Sequence, residues 1–300
     1  MNSLTQFLKQ GAFALLGLGL VTAPAHAVNI TTTSNANVLV NSILGSGITV
    51  SNVTYNGASV ASGTFTNGLS SGIGIDTGII LTSGNANLAC GPNTQDDATG
   101  NNGLPGDANL NSLIPGFNTF DASTLKFDFI SATGDLFFNY VFASEEYNEY
   151  VNSNYNDVFG FFLDGVNIAV LPGTNTPVSI NNVNGGNPLG INAHNSQFFI
   201  NNDLSDGGPF FNLQYDGFTK VFTASAKGLS AGKHTIKLAI ADAGDSVLDS
   251  AVFIQGGTFS AQPPKSVPEP TTMLGILGFG IFGATSSRKR KQQNNAVAKG

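Results

Sequence analysis

Residues 136–171 read LFFNYVFASEEYNEYVNSNYNDVFGFFLDGVNIAVL, and their punctuation decides the fold class. Leu136–Phe142 and Val158–Leu163 are short, aromatic-rich apolar runs bounded by polar turns, the signature of buried strands rather than of helices. Asp164-Gly165 separates Val158–Leu163 from the apolar run Val166–Leu171, a two-residue hairpin signal. Further on, Thr235-Ile236-Lys237-Leu238-Ala239-Ile240 alternates with period two, so one of its faces is buried. Pro172-Gly173, Asp216-Gly217 and Gly256-Gly257 mark further turns. Many short strands at this spacing predict an all-β protein, an antiparallel β-sandwich of jelly-roll type with a few short helices.

Three helical segments are expected. Asn37–Leu44 puts Val38, Leu39 and Ile43 on one side, with Ser34 or Asn35 as cap and Gly45 as stop. Asp107 caps a turn carrying Leu110 and Leu113, and Ser144 caps a turn through Glu145–Tyr150. Composition agrees with this reading: 37 Gly and no Trp disfavour long helices, while 23 Phe supply a core.

Charge separates the ends from the body. The chain of 300 residues carries 12 Lys+Arg and 19 Asp+Glu, a net −7, and both arginines, Arg288 and Arg290, lie near the C-terminus. With Lys9 and the basic tail from Arg288 set aside, six lysines face 19 acids, a balance of −13. Such a body has no basic stripe with which to neutralise phosphates, which excludes nucleic acid and anionic membrane surfaces as partners and favours divalent cations.

The N-terminal apolar run from Gly11 to Val21 is too short to span a bilayer and ends in Ala25-His26-Ala27, so residues 1–27 are expected to be a secretory signal peptide cut by signal peptidase after Ala27. Residues 28–262 then form one domain. At the C-terminus, residues 263–300 combine Pro268-Glu269-Pro270, a short hydrophobic stretch from Met273 to Ala284, and Arg288-Lys289-Arg290-Lys291. These parts, in this order, resemble the PEP-CTERM sorting signal. The resemblance implies processing by an exosortase, transient or anchored membrane association through the short C-terminal segment, and a cell-surface or extracellular location in a Gram-negative bacterium that makes exopolysaccharide. Cys90 is alone, so it forms no intrachain disulfide, and burial is its commonest fate.

Acids cluster in two places. Glu145, Glu146 and Glu149 fall within five positions, and Asp242, Asp245 and Asp249 surround Gly244 between two apolar strands. Helix-end charge and turn chemistry account for such residues. The alternative is an oxygen-rich Ca2+ site drawn from Asp242, Asp245, Asp249, Glu145 and Glu146, with Ca2+ as the cofactor. Tyr147, Tyr150 and Tyr155, among asparagines, are candidate contacts for an extracellular polysaccharide. A carboxylate pair from Glu145 or Glu146 with Asp157 or Asp245 is the arrangement a glycoside hydrolase would need.

No catalytic signature survives inspection. Gly68-Leu69-Ser70-Ser71-Gly72 fits G-x-S-x-G but lacks the strand-to-helix context of a nucleophile elbow. His194 and His234 are read as surface or edge-strand residues, and one Cys with two body histidines makes a poor zinc site.

The stretches FDFISATGDLFFNYVFASEEYNEYVNSNYNDVFGFFLDG, NIAVLPGTNTPVSINNVN, YDGFT and HTIKLAIADAGDSVLDSAVFI, with Gly74–Leu81, resemble the choice-of-anchor L domain across most of residues 30–260. That family pairs one extracellular domain with alternative C-terminal anchors. The resemblance implies a non-enzymatic surface or matrix protein, structural or adhesive, with carbohydrate binding as the alternative, and it implies no site residues.

Overall fold

Period-two alternation carries through to the structure, a computed structural model that describes residues 26–264. The expected signal peptide, sorting motif and C-terminal membrane segment therefore lie outside the described residues, apart from a few flanking positions. Thirteen strands form two antiparallel sheets. The first contains β1 (Asn29–Thr32), β3 (Ser62–Thr66), β4 (Gly78–Thr82), β13 (Ser250–Gln255), β6 (Leu136–Ser144), β10 (Gly217–Thr219) and β9 (Phe199–Asn201) in that order, with β11 (Phe222–Ala226) beside the other half of β6. The second runs β2 (Ile48–Asn56), β5 (Thr119–Ser131), β12 (His234–Ala243), β7 (Val158–Leu163), β8 (Val166–Asn167).

Alternate side chains of both sheets meet in the middle. Phe127 and Phe129 of β5, Leu238 and Ile240 of β12 and Phe159 and Phe161 of β7 face Phe138, Tyr140 and Phe142 of β6, all fully buried. Rings cross the gap in pairs, Phe138 with Phe161 at 4.9 Å and Phe142 with Phe159 at 5.1 Å between centroids. The Tyr140 hydroxyl sits in this core with no hydrogen-bond partner. A buried unpaired hydroxyl costs free energy that its removal recovers, so Tyr140→Phe is expected to leave stability unchanged or raise it by about 1 kcal/mol in urea unfolding. A loss of that size would mean that the hydroxyl is bonded after all.

Helix α1 (Ala36–Ile43) bridges the two sheets at one edge. Asn35 caps it, its Oδ1 accepting from the Asn37 and Val38 amides. Leu39, Val40 and Ile43 are buried, whereas Val38, expected beside them, is 42 % exposed. The one-turn helix α2 (Gly68–Ser71) occupies the G-x-S-x-G segment, where the Ser70 hydroxyl donates to the Asn67 carbonyl. Asp107 caps α3 (Ala108–Leu113) as expected, with Leu110 buried against the outer face of the second sheet.

Two expectations change for the same reason, a side chain taking over a backbone partner. The expected strand Val166–Leu171 shortens to Val166–Asn167, because Asn167 Oδ1 accepts from the Phe161 and Ala169 amides where a ladder would otherwise continue. The expected helical turn after Ser144 is a series of turns. Its Asn148 amide donates to Asp203 Oδ2 of another loop at 3.2 Å, not to the carbonyl four residues back. His234 is also not a surface or edge residue: it is buried on the central strand β12, its Nδ1 2.6 Å from Asp164 Oδ2, and that bond raises its pKa. Cys90 is exposed rather than buried.

Candidate metal centre

The strand directions bring four loops to one end of the sandwich: 83–118 after β4, 145–157 after β6, 202–216 after β9 and 244–249 after β12. None of the four contains Lys, Arg or His. Fourteen of the 19 acids lie in these loops or at the strand ends beside them. Among the described residues, the one lysine whose ammonium group pairs with them is Lys237, which bonds both Asp107 oxygens at 2.8 Å and so is already neutralised.

Some of these acids hold the loops together. Asp157, just before β7, accepts from the Ala243 amide of β12 at 2.8 Å and from the Ser250 hydroxyl of β13 at 2.7 Å, which ties the two sheets. Asp121 accepts from the Asn102 and Leu104 amides and holds the long loop against β5. The Asp249 carbonyl accepts from the Glu145 amide at 3.1 Å, placing the two acidic loops side by side.

Other acids have no partner. Both carboxylate oxygens of Glu145, Glu146, Asp242 and Asp249 are buried without a hydrogen bond, as are Asp216 Oδ2 and Asn148 Oδ1. These residues are all no more than 1 % exposed. Gly84 is where it is because of this arrangement: a Cβ there would fall on the Asp249 carboxylate. Burial is the first cause of every pKa shift in the cluster. It pushes Glu146 up to about 10, Asp157 and Asp216 to about 8 and Asp249 to about 7. Glu145 and Asp242 also move well above the ordinary carboxylate range, and repulsion from Asp216 and Asp157 respectively adds to the effect of burial.

A buried carboxylate without a partner must hold a proton or a cation, since its charge is otherwise too costly. The donors are all oxygens, from side chains on irregular loops and, for Asp242, on the end of β12, with no His or Cys among them. That set suits Ca2+, which takes 6–8 oxygen ligands in flexible geometry, and does not suit zinc or copper. A second set lies nearer the surface, where carboxylate oxygens of Asp96, Glu149 and Asp203 fall within 4.8 Å of one another.

Comparison with known families now adds to this geometry. A choice-of-anchor L domain model matches residues 27–260, and a PEP-CTERM protein-sorting motif matches residues 266–291. The chain belongs to the choice-of-anchor L family. The sorting motif of this choice-of-anchor L protein implies exosortase-dependent export to the cell surface, with the exosortase as processing partner. The two assignments together suggest a non-enzymatic surface protein, and no catalytic family is matched. No curated protein and no solved structure matches the chain significantly. Among the described residues, no helix is long and apolar enough to cross a membrane.

Within the choice-of-anchor L domain, Asp242, Asp249, Glu145 and Glu146 are all buried, unpaired acids at this one end, whereas the carboxylate oxygens that fall within 4.8 Å of one another are those of Asp96, Glu149 and Asp203. Asp245 differs from the four buried acids: it is half-buried and its Oδ1 accepts from the Val247 amide in a local turn. Tyr147 offers no ring to a glycan, because it is fully enclosed against Phe142 and Phe199 and its hydroxyl donates to the Val183 carbonyl. Tyr150 and Tyr155 pack edge to face at 5.3 Å, and Tyr150 is 37 % exposed. Sequence reasoning missed Asp96, Asp203 and Asp216 as members of the acidic end. Asp216 reads as a turn residue in Asp216-Gly217, and its neighbours in space are remote in sequence. The available signal was the absence of basic residues from all four loops.

Proposed function

We propose that the chain is a calcium-organised structural or adhesive module of the cell surface or extracellular matrix. In this reading, Ca2+ held by Asp249, Asp242, Glu145 and Glu146 fixes the long loops at one end of the sandwich. The observation that carries the reading is the set of buried carboxylates whose oxygens make no hydrogen bond and face no basic side chain. Residues 1–27 serve as the signal peptide, the tail is processed after export, and the host is Gram-negative.

A carbohydrate-binding role is the second reading. A shallow depression at the acidic end is lined by Phe117, Asn118, Phe120, Asn154 and Gly244. Phe120 is 37 % exposed and flanked by amide side chains, the pairing of ring face and hydrogen-bonding groups that suits a sugar. Polysaccharide pull-down separates this reading from a purely structural one.

Native mass spectrometry of the exported protein tests the first reading. The expected mature chain begins at Val28, lacks the basic tail, and retains at least one Ca2+ that equimolar Mg2+ does not displace. A chain that carries no Ca2+ from millimolar calcium would remove the calcium role, and an intact tail would remove the processing step.

A further inference from the structure

We infer that His234 is a pH-operated latch at the end of the sandwich opposite the acidic loops, closed while both of its ring nitrogens are protonated. His234 opens β12, and its ring ties together two connections, the Asp164-Gly165 turn after β7 and the loop 227–233 before β12. Nδ1 is 2.6 Å from Asp164 Oδ2, and Nε2 is 3.0 Å from the Ser230 carbonyl oxygen. A carboxylate and a carbonyl only accept, so both nitrogens must donate, which only the imidazolium does. Asp164 is half exposed and its other oxygen accepts from the Thr235 amide at 2.9 Å, an environment that suits the ionised carboxylate.

The other charges around the ring are engaged elsewhere. Asp128 of β5 accepts from the Thr235 hydroxyl and the Asn52 side chain, both at 2.7 Å, and the Lys233 ammonium lies 3.5 Å from it. In the neighbouring loops, Asp135 accepts from the Gly228 amide and Lys227 sits over the Phe137 ring. On the β5 side the imidazole meets an uncharged ring, Phe129, at 5.8 Å between centroids. Among the described residues, Asp164 is therefore the one carboxylate that bonds the imidazole.

Loss of one proton opens the latch. The neutral ring keeps the Nδ1 proton for the carboxylate and turns the Nε2 lone pair on the Ser230 carbonyl, so a buried bond becomes a repulsion between two acceptors. The Ser230 hydroxyl, 3.5 Å from Nε2, is too distant to replace it. The bonds to Asp164 and Ser230 raise the His234 pKa, so the latch is closed below the ordinary imidazole value of ~6.5 and opens as pH rises through the higher folded-state value. Loop 227–233 in turn rests on residues 133–135: the Leu229 amide donates to the Gly134 carbonyl at 2.7 Å, and the Thr133 hydroxyl donates to the Ala261 carbonyl at 3.0 Å. Opening therefore loosens the seat of Ala261, just ahead of the sorting motif that begins at residue 266.

Nitrogen-15 NMR of the mature protein in millimolar Ca2+, from pH 5 to 9, tests this. The His234 ring is expected to titrate about one pH unit or more above ~6.5. Hydrogen-exchange protection factors of the Gly228 and Leu229 amides should fall at least tenfold through the same midpoint, while that of Leu238, in the middle of β12, holds. Asp164→Asn keeps an acceptor for the Thr235 amide and suits the φ of 48°, so the turn is retained. That variant should lower the midpoint by about one unit or more and move the loop opening with it. A ring that titrates at or below ~6.5, loop protection that stays constant across the midpoint, an equal loss at Leu238, or an unchanged midpoint in Asp164→Asn would each overturn the latch.

Discussion

Removal of divalent cations at pH 7–8 is expected to lower the thermal midpoint of the domain by roughly 5–10 °C relative to millimolar Ca2+. A ligand bound only to the native state at 100 times its dissociation constant adds about 2.7 kcal/mol, and for a domain of this size each kcal/mol moves the midpoint by about 2–4 °C. The pH dependence carries the sharper sign. In the metal-free protein the folded-state values, about 7 for Asp249, about 8 for Asp157 and Asp216 and about 10 for Glu146, lie above those of an unfolded carboxylate. The folded state therefore binds more protons than the unfolded one above pH ~4, and its stability falls as pH rises through this window. For Asp249 alone, a rise from 3.8 to about 7 corresponds to about 4 kcal/mol of stability lost by pH 7. That is a large fraction of the ~5–15 kcal/mol typical of a domain. With Ca2+ the dependence reverses, because the cation binds the ionised carboxylates and competes with protons. Melting curves from pH 4 to 8, with calcium and with chelator, should therefore converge near pH 4 and separate as pH rises. Parallel curves would show that no cation is held by this cluster.

The parts of the fold legible in sequence were those set by local pattern. The period-two run at Thr235–Ile240 lies within the central strand β12, and Asp164-Gly165 makes its hairpin with φ of 48° and 88°, the left-handed pair such a turn requires. Asn35 and Asp107 cap helices because the short side-chain acceptor reaches the first free amides whatever the tertiary context. Legibility failed where partners came from elsewhere in the chain. Asn148 leaves its expected helical turn for Asp203, 55 positions away, and Asn167 ends a strand early. The acidic end divides in the same way. Glu145, Glu146, Asp242 and Asp249 are conspicuous because each pair is close in sequence. Asp216 and Asp96 join only through the alignment of strand ends, which composition does not reveal. Tyr147 looked like a binding residue because it sits among acids and amides, yet an aromatic beside a strand end is as readily turned inward.

Asp249→Asn is expected to act with opposite signs in the presence and absence of calcium. The amide keeps the shape of the carboxylate, and shape matters here because Asp249 lies directly against the Gly84 backbone, with no space for a Cβ between them. In chelator at pH 7–8, the substitution removes a charge that has no partner and is opposed by its acidic surroundings, so the variant should melt above the wild type and lose part of its pH dependence. In calcium it removes an anionic ligand. Affinity for Ca2+ should fall at least tenfold, about 1.4 kcal/mol, and the variant should melt below the wild type. The two melting curves therefore change order when calcium is added. A residue that merely packed, or that accepted an ordinary hydrogen bond, would lose stability under both conditions when changed. Equal destabilisation in chelator and in calcium would accordingly assign Asp249 a structural role and leave the inner carboxylates as protonated acids.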